Sequence, residues 1–157
     1  VQEFAELNRR AIAQDITKAM KFAETERFST AHNYIDTNNK ILRKGAISAS
    51  DGEKIIIPLN MRDGSLICIG KGNEDWNYSA PHGAGRAHSR ADTLNMFTLS
   101  QYKKTMDGIY STSISRETLD ECPMAYKVPE EIIAAISPTA EIVERLKPVY
   151  NFKAGTI

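Results

Sequence analysis

Cysteine is scarce in this chain: there are two among 157 residues, Cys68 and Cys122. Two thiols do not make a disulfide framework. Cys68 lies inside the apolar run Leu66-Ile67-Cys68-Ile69, where a thiol behaves as a small core residue. Both cysteines fit a reducing, cytoplasmic setting. Long hydrophobic runs are missing too: no stretch approaches the roughly 20 apolar residues of a membrane span, and no signal-peptide pattern opens the chain. Neither sign of charge dominates, with Lys+Arg and Asp+Glu at 20 each. Nucleic-acid binders usually carry a basic excess, so the global charge lends nucleic-acid binding no support. A local basic face is still open, because fields depend on where the charges sit. Histidine is rare, with only His32, His82 and His88. None stands in the close Cys–His or carboxylate–His spacing of a known metal motif, so a metal here must draw several ligands from outside this chain.

What is present is ordinary for a globular protein: 41% apolar and 25% charged residues, in a length that suits one domain with a real core. There is no internal repeat and no low-complexity linker. The chain starts at Val within a helical pattern and is read as a piece of a longer protein. Residues 1–28 are expected to be helix, since Phe4, Leu7, Ala11, Ile12, Ile16 and Met20 recur at three- and four-residue spacing. Residues 29–39 read as a polar loop, followed by the basic stretch Lys40 to Gly45. Asp51-Gly52 marks a turn. Ile55-Ile56-Ile57 predicts a buried strand stopped by Pro58, and residues 65–70 predict a second strand. Residues 71–81 read as a loop holding the single Trp76. A helix is expected after Arg86 to about Tyr102, a short strand within 108–116, and two helices over 130–136 and 139–146, the last capped by Thr139. The fold class is α+β, a β-rich core with flanking helices.

Four segments can carry chemistry. In Pro81-His82-Gly83-Ala84-Gly85-Arg86, the glycines let backbone approach a ligand closely. If the run opens a helix, the free N–H groups there face an anion. Arg86 and Arg90, four apart, would share a helix face and bond phosphate or RNA oxygens. The plainer reading is a tight turn with a solvated histidine, and one glycine-rich turn is weak evidence. Ala31-His32-Asn33 offers one imidazole, a common metal ligand, but equally an ordinary surface histidine. Between two strands, Asn60 and Ser65 can bond a nucleotide or simply make a turn. Tyr126-Lys127 and Lys153 can stack on and donate to a base, or be a half-buried ring with solvated ammonium groups.

Taken in order, these segments resemble the RtcB family of RNA-splicing ligases. The motifs that carry the resemblance are Ala31-His32-Asn33, Arg43-Lys44-Gly45-Ala46, Ile56-Ile57-Pro58 through Ser65, His82-Gly83-Ala84-Gly85-Arg86 with Ser89-Arg90, Ala125-Tyr126-Lys127, and Lys153. Their order and spacing agree from about residue 4 to residue 153, which is far more specific than any one of them. The resemblance implies a GTP- and Mn²⁺-dependent ligase. Its substrate would be RNA whose 3′-phosphate or 2′,3′-cyclic phosphate end is joined to a 5′-hydroxyl end. It implies that His82 takes GMP as a phosphoramidate and that His32 is a manganese ligand. Asn33, Asn60, Ser65, Gly83, Ala84, Gly85, Tyr126 and Lys153 are then the nucleotide-binding residues. The family's Pro-Gly-Ser-Met run reads Pro58-Leu59-Asn60-Met61 here, with Leu59-Asn60 in place of the small pair.

The same resemblance implies that residues 1–157 are the C-terminal part of a single catalytic domain. The N-terminal half, with the other metal ligands, would lie outside this chain, so these residues alone are expected to be inactive. Two other readings remain. One is an end-capping or repair nucleotidyltransferase of the same family. The other is a non-catalytic nucleotide- or RNA-binding module.

Overall fold

The computed structural model describes residues 1–153. Its elements run α1 (Gln2–Met20), β1 (His32–Asp36), β2 (Ile41–Ser48), β3 (Lys54–Asn60), β4 (Gly64–Gly70), β5 (Ser79–Pro81), α2 (Arg90–Met96), α3 (Leu99–Thr105), β6 (Tyr110–Ser111), α4 (Pro129–Ile136), β7 (Ala140–Leu146) and β8 (Tyr150–Asn151). Helices and small sheets combine in a mixed α+β fold, as expected. One antiparallel sheet has the order β1-β2-β5, a second has β3-β4-β7, and β6 pairs in parallel with β8.

The helix at the start ends at Met20, eight residues before the expected boundary. Lys21 turns left-handed (φ 55°), and the Phe22 N–H closes onto the Thr17 carbonyl, a common helix stop. Beyond it the chain is held along the outer edge of β3: Thr30 Oγ1 accepts the Ile56 N–H (3.2 Å), and Lys54 pairs with Glu26 (2.6 Å). None of the α1 residues is buried. The expected loop at 29–39 contains β1. The Asp36 carboxylate accepts the N–H groups of Asn38 and Asn39, which turns the chain back into β2.

Pro58 does not stop β3. It pairs with Ser65 of β4 and the strand runs on to Asn60. β3 is an edge strand, where a missing N–H removes no ladder bond. The outward-facing Pro58 carbonyl instead accepts the Ala84 N–H (3.0 Å). The larger correction concerns residues 139–146. They form β7, antiparallel to β4 from Ser65↔Leu146 to Gly70↔Ala140, and Thr139 is not a helix cap. Its hydroxyl donates to the Ile136 carbonyl (3.0 Å) at the end of α4. Ile142 and Val143 are β-branched, and the free edge of β4 supplies a full ladder, so tertiary pairing overrides local pattern.

The helix expected after Arg86 is two short ones, α2 capped by Ser89 and α3 capped by Thr98 in a reciprocal capping box with Gln101. Extended backbone at Phe97 (φ −117°) separates them.

Two apolar clusters hold the fold. Ile47, Ile55, Ile57, Leu66, Cys68, Ile132 and Ile136 fill the space between the sheets and α4. Met61, Tyr102, Met106, Leu119, Cys122 and Ala125 form the second. Each such aliphatic contributes about 1.5–3 kcal/mol when fully buried. Burial pushes the Cys68 thiol up to about 11, so it is an inert core residue. Ala84 of the loop 82–85 is buried in the first cluster.

Candidate active site

His82 directly follows β5, whose Pro81 pairs with Ala46 of β2. His32 opens β1, which flanks β2 on its other side and pairs there with Ile47. Pairing of β1 and β5 to the two sides of one central strand therefore brings together two imidazoles that are fifty positions apart in sequence. Their rings stack with centroids 5.1 Å apart and planes inclined by 12°, and both residues are exposed. The bulge in β1 falls at Asn33 (φ 54°). The Asn33 side-chain oxygen accepts the Gly45 N–H at 2.6 Å, which fixes the start of β1 against β2.

The loop after His82 is clamped from both sides. Ala84 donates to Pro58, the Lys127 N–H donates to the Gly85 carbonyl (3.2 Å), and the Ala87 N–H to the Ala125 carbonyl (2.8 Å). Gly83 is needed for the close approach: a Cβ there would lie 3.1 Å from the Pro58 carbonyl oxygen. The loop does not open a helix. α2 starts only at Arg90, so a helix N-terminus does not explain an anion site here. Arg86 likewise shares no helix face with Arg90. The two converge instead on one carboxylate, Glu121.

Around this loop is a cavity of about 450 Å³ lined by residues 58–61, 82–86, Arg90, Glu121, Tyr126, Asn151 and Lys153. It gathers His82, Gly83, Ala84, Gly85, Asn60, Arg86, Arg90, Tyr126 and Lys153 from the sequence expectations. Ser65 is not on its wall. It sits in β4 between Pro58 and Leu146. The Asn60 side chain is engaged in the β3–β4 turn, accepting from the Arg62 and Asp63 N–H groups and donating to the Asp63 carboxylate (2.7 Å). Leu59 points into the core. His88 lies edge-on to Phe97, with ring centroids 5.6 Å apart.

Glu121 is the residue that sequence reasoning missed. It lies in a 3-10 turn with no motif around it, and only its neighbours reveal it. Its Oε2 accepts the Tyr126 hydroxyl (2.6 Å) and faces Lys153 Nζ (3.3 Å). Its Oε1 meets Arg90 at 2.6 Å and Arg86 at 3.6 Å. Burial pushes this carboxyl up, but Tyr126, Lys153 and Arg90 outweigh that and hold it below its ordinary value. Burial and the Glu121 charge push the Tyr126 phenol up to about 12. Arg86 also donates to the carbonyls of His88 (3.0 Å) and Asp120 (2.6 Å), and its guanidinium lies over the Tyr126 ring at 5.2 Å. One of its nitrogens, Nη1, is buried without a hydrogen-bond partner among the described residues. Arg90 is also paired with Asp120. The wall thus carries three cations, Arg86, Arg90 and Lys153, against Glu121 on the wall and Asp120 behind Arg90, which leaves one positive charge in excess. That balance favours an anionic occupant.

The family model described as "tRNA-splicing ligase RtcB" matches residues 1–154. This chain belongs to the RtcB family. It is 32% identical to the RNA-splicing ligase RtcB of Escherichia coli K12 over 97% of its own length and 41% of that protein. It is 34% identical to the tRNA-splicing ligase RtcB of Aeropyrum pernix over 62% of its length and 22% of that protein. It therefore spans about two fifths of the Escherichia coli relative's length or less. In this RtcB chain no group of three or more His, Cys, Asp or Glu side chains among the described residues could hold a metal ion. His32 offers one ligand, and a metal needs three or more; these residues do not by themselves fit manganese. No described helix is long and apolar enough to cross a membrane.

Proposed function

We propose that the chain is the C-terminal part of the catalytic domain of a GTP-dependent RNA ligase. The intact protein joins RNA 3′-phosphate or 2′,3′-cyclic phosphate ends to 5′-hydroxyl ends, in the cytoplasm, through a guanylate carried on His82. One observation carries this reading: an exposed imidazole at the rim of a cavity with three cations, backed by glycines that admit close approach. The cavity's size falls within the roughly 300–1,000 Å³ of small-ligand sites.

In this reading the His82 imidazole attacks the α-phosphorus of GTP. An N–P bond forms, the bond to the β-phosphate oxygen breaks, and pyrophosphate leaves with the electron pair. Arg86, Arg90 and Lys153 supply charge-assisted bonds to phosphate oxygens. Tyr126 lines the cavity beside the nucleotide, its ring held between Arg86 and the second apolar cluster. Water first opens a 2′,3′-cyclic phosphate to a 3′-phosphate. The RNA 3′-phosphate then takes the guanylate as the N–P bond breaks and His82 is released, and the 5′-hydroxyl displaces GMP to leave a phosphodiester. Stacking against His32 restrains the His82 ring. Asn33 contributes by fixing β1, Asn60 by shaping the cavity edge, and Ser65 by holding β4 against Pro58. His32 is the ligand this chain brings to a manganese ion whose remaining ligands come from elsewhere. For that reason the 157 residues alone are expected to be inactive.

Transfer of label from α-labelled GTP to the intact protein, abolished in His82→Ala, tests the covalent step. Joining of RNAs bearing 3′-phosphate and 5′-hydroxyl ends tests the acceptor. Label without joining would support an end-capping or repair enzyme. No label at all would leave only a binding module.

A further inference from the structure

Residues 82–85 line two hollows. Besides the first cavity, the same four residues line a groove of about 580 Å³, completed by β2, the loop before β5, and α4. No Asp or Glu lines this groove, while Lys44 and Lys127 do. Both lysines are exposed. The groove's other cation, Arg43, is buried and already bonded to Asp36, Ser79 and Tyr34. Trp76, the chain's single tryptophan, also lines the groove and is 56% exposed.

This combination narrows the occupant. A small inorganic anion has no use for an indole face, and an apolar ligand has none for two ammonium groups. Unpaired nucleotides use both, since phosphates pair with lysines and a base stacks on an aromatic ring. A duplex keeps its bases stacked inside and leaves the indole unused. We propose that this groove seats single-stranded RNA, so that an RNA end reaches His82, which lines both this groove and the nucleotide cavity. The proposal rests on the nucleotidyl-transfer reading only for what the RNA meets at His82. The groove itself stands on Lys44, Lys127 and Trp76.

The test is fluorescence anisotropy of a short, labelled, 3′-phosphorylated single-stranded RNA with the intact protein, over a salt series. Lys44→Gln with Lys127→Gln is expected to weaken binding by about tenfold or more. It should also flatten the slope of log affinity against log salt by about 1.4, the share of two phosphate contacts on a single strand. Trp76→Leu is expected to weaken binding about fivefold or more through lost stacking. Circular dichroism checks that the variants are folded. The proposal is overturned if the double lysine variant binds within about twofold of wild type. It is equally overturned if a blunt RNA duplex or polyglutamate competes as well as the single strand. Labelling of the wild-type protein with α-labelled GTP separates the two ideas. Absent label with the RNA losses intact sinks the His82 reading and leaves the groove; present label with unchanged RNA affinity sinks the groove alone.

Discussion

Replacing Glu121 by Gln is expected to lower the ionisation range of Tyr126. In the folded chain burial, then the bond to Glu121 and its charge, push the phenol from an ordinary 10.0 up to about 12. Two units correspond to roughly 2–3 kcal/mol between protonation states, and the ring's partial exposure places the net effect near the lower figure. The folded value lies above the unfolded one. The stabilising contribution is therefore whole below about pH 10 and is lost as pH rises towards about 12. Near-ultraviolet phenolate absorbance, read as wild type minus Tyr126→Phe, isolates this one tyrosine. Wild type should ionise near 12, and Glu121→Gln should move the midpoint part of the way back, because burial persists while the charge is gone. A midpoint unmoved by Glu121→Gln would show that the carboxylate and phenol are not coupled. The hub geometry on which the cavity wall depends would then be wrong.

Acid works on the same hub with the opposite sign. Glu121 is held low, so its contribution is present above its ordinary value of 4.5 and lost as pH falls through the lower folded one; denaturant midpoints of Glu121→Gln should fall less steeply in acid than those of wild type. Gly83→Ala puts a Cβ 3.1 Å from the Pro58 oxygen and strains the Ala84–Pro58 bond. It should cost about 1 kcal/mol in chemical denaturation while reducing GTP labelling far more than that loss of stability explains. Gly64→Ala is a stability change alone. Its φ is +79° and its Cβ would lie 1.9 Å from the Leu146 carbonyl oxygen, so about 3 kcal/mol should be lost as β7 is displaced. Asn33→Ala removes the bond to the Gly45 N–H and should destabilise by about 1 kcal/mol. It should also lower GTP labelling, as His32 is no longer held beside His82; undiminished labelling would mean that the stacked pair has no role in the transfer.

The β3–β4 hairpin was legible in the sequence, because Ile55 to Ile57 and Leu66 to Ile69 form apolar runs bounded by turn residues. Buried Cys68 followed from the same run. The glycine loop, its histidine and the later tyrosine and lysine were legible as ordered motifs. The sequence could not say that residues 140–146 would be a strand. Their apolar spacing suits either period, and only the vacant edge of β4 chooses between them. Nor could it find Glu121, whose importance lies wholly in four partners drawn from positions 86 to 153. Local pattern determines which residues can turn, cap or be buried, since those preferences act over a few bonds. The meeting of His32 with His82, and of three cations with one carboxylate, was decided by strand pairing and packing. Those bring distant positions together at energies that local propensity does not encode.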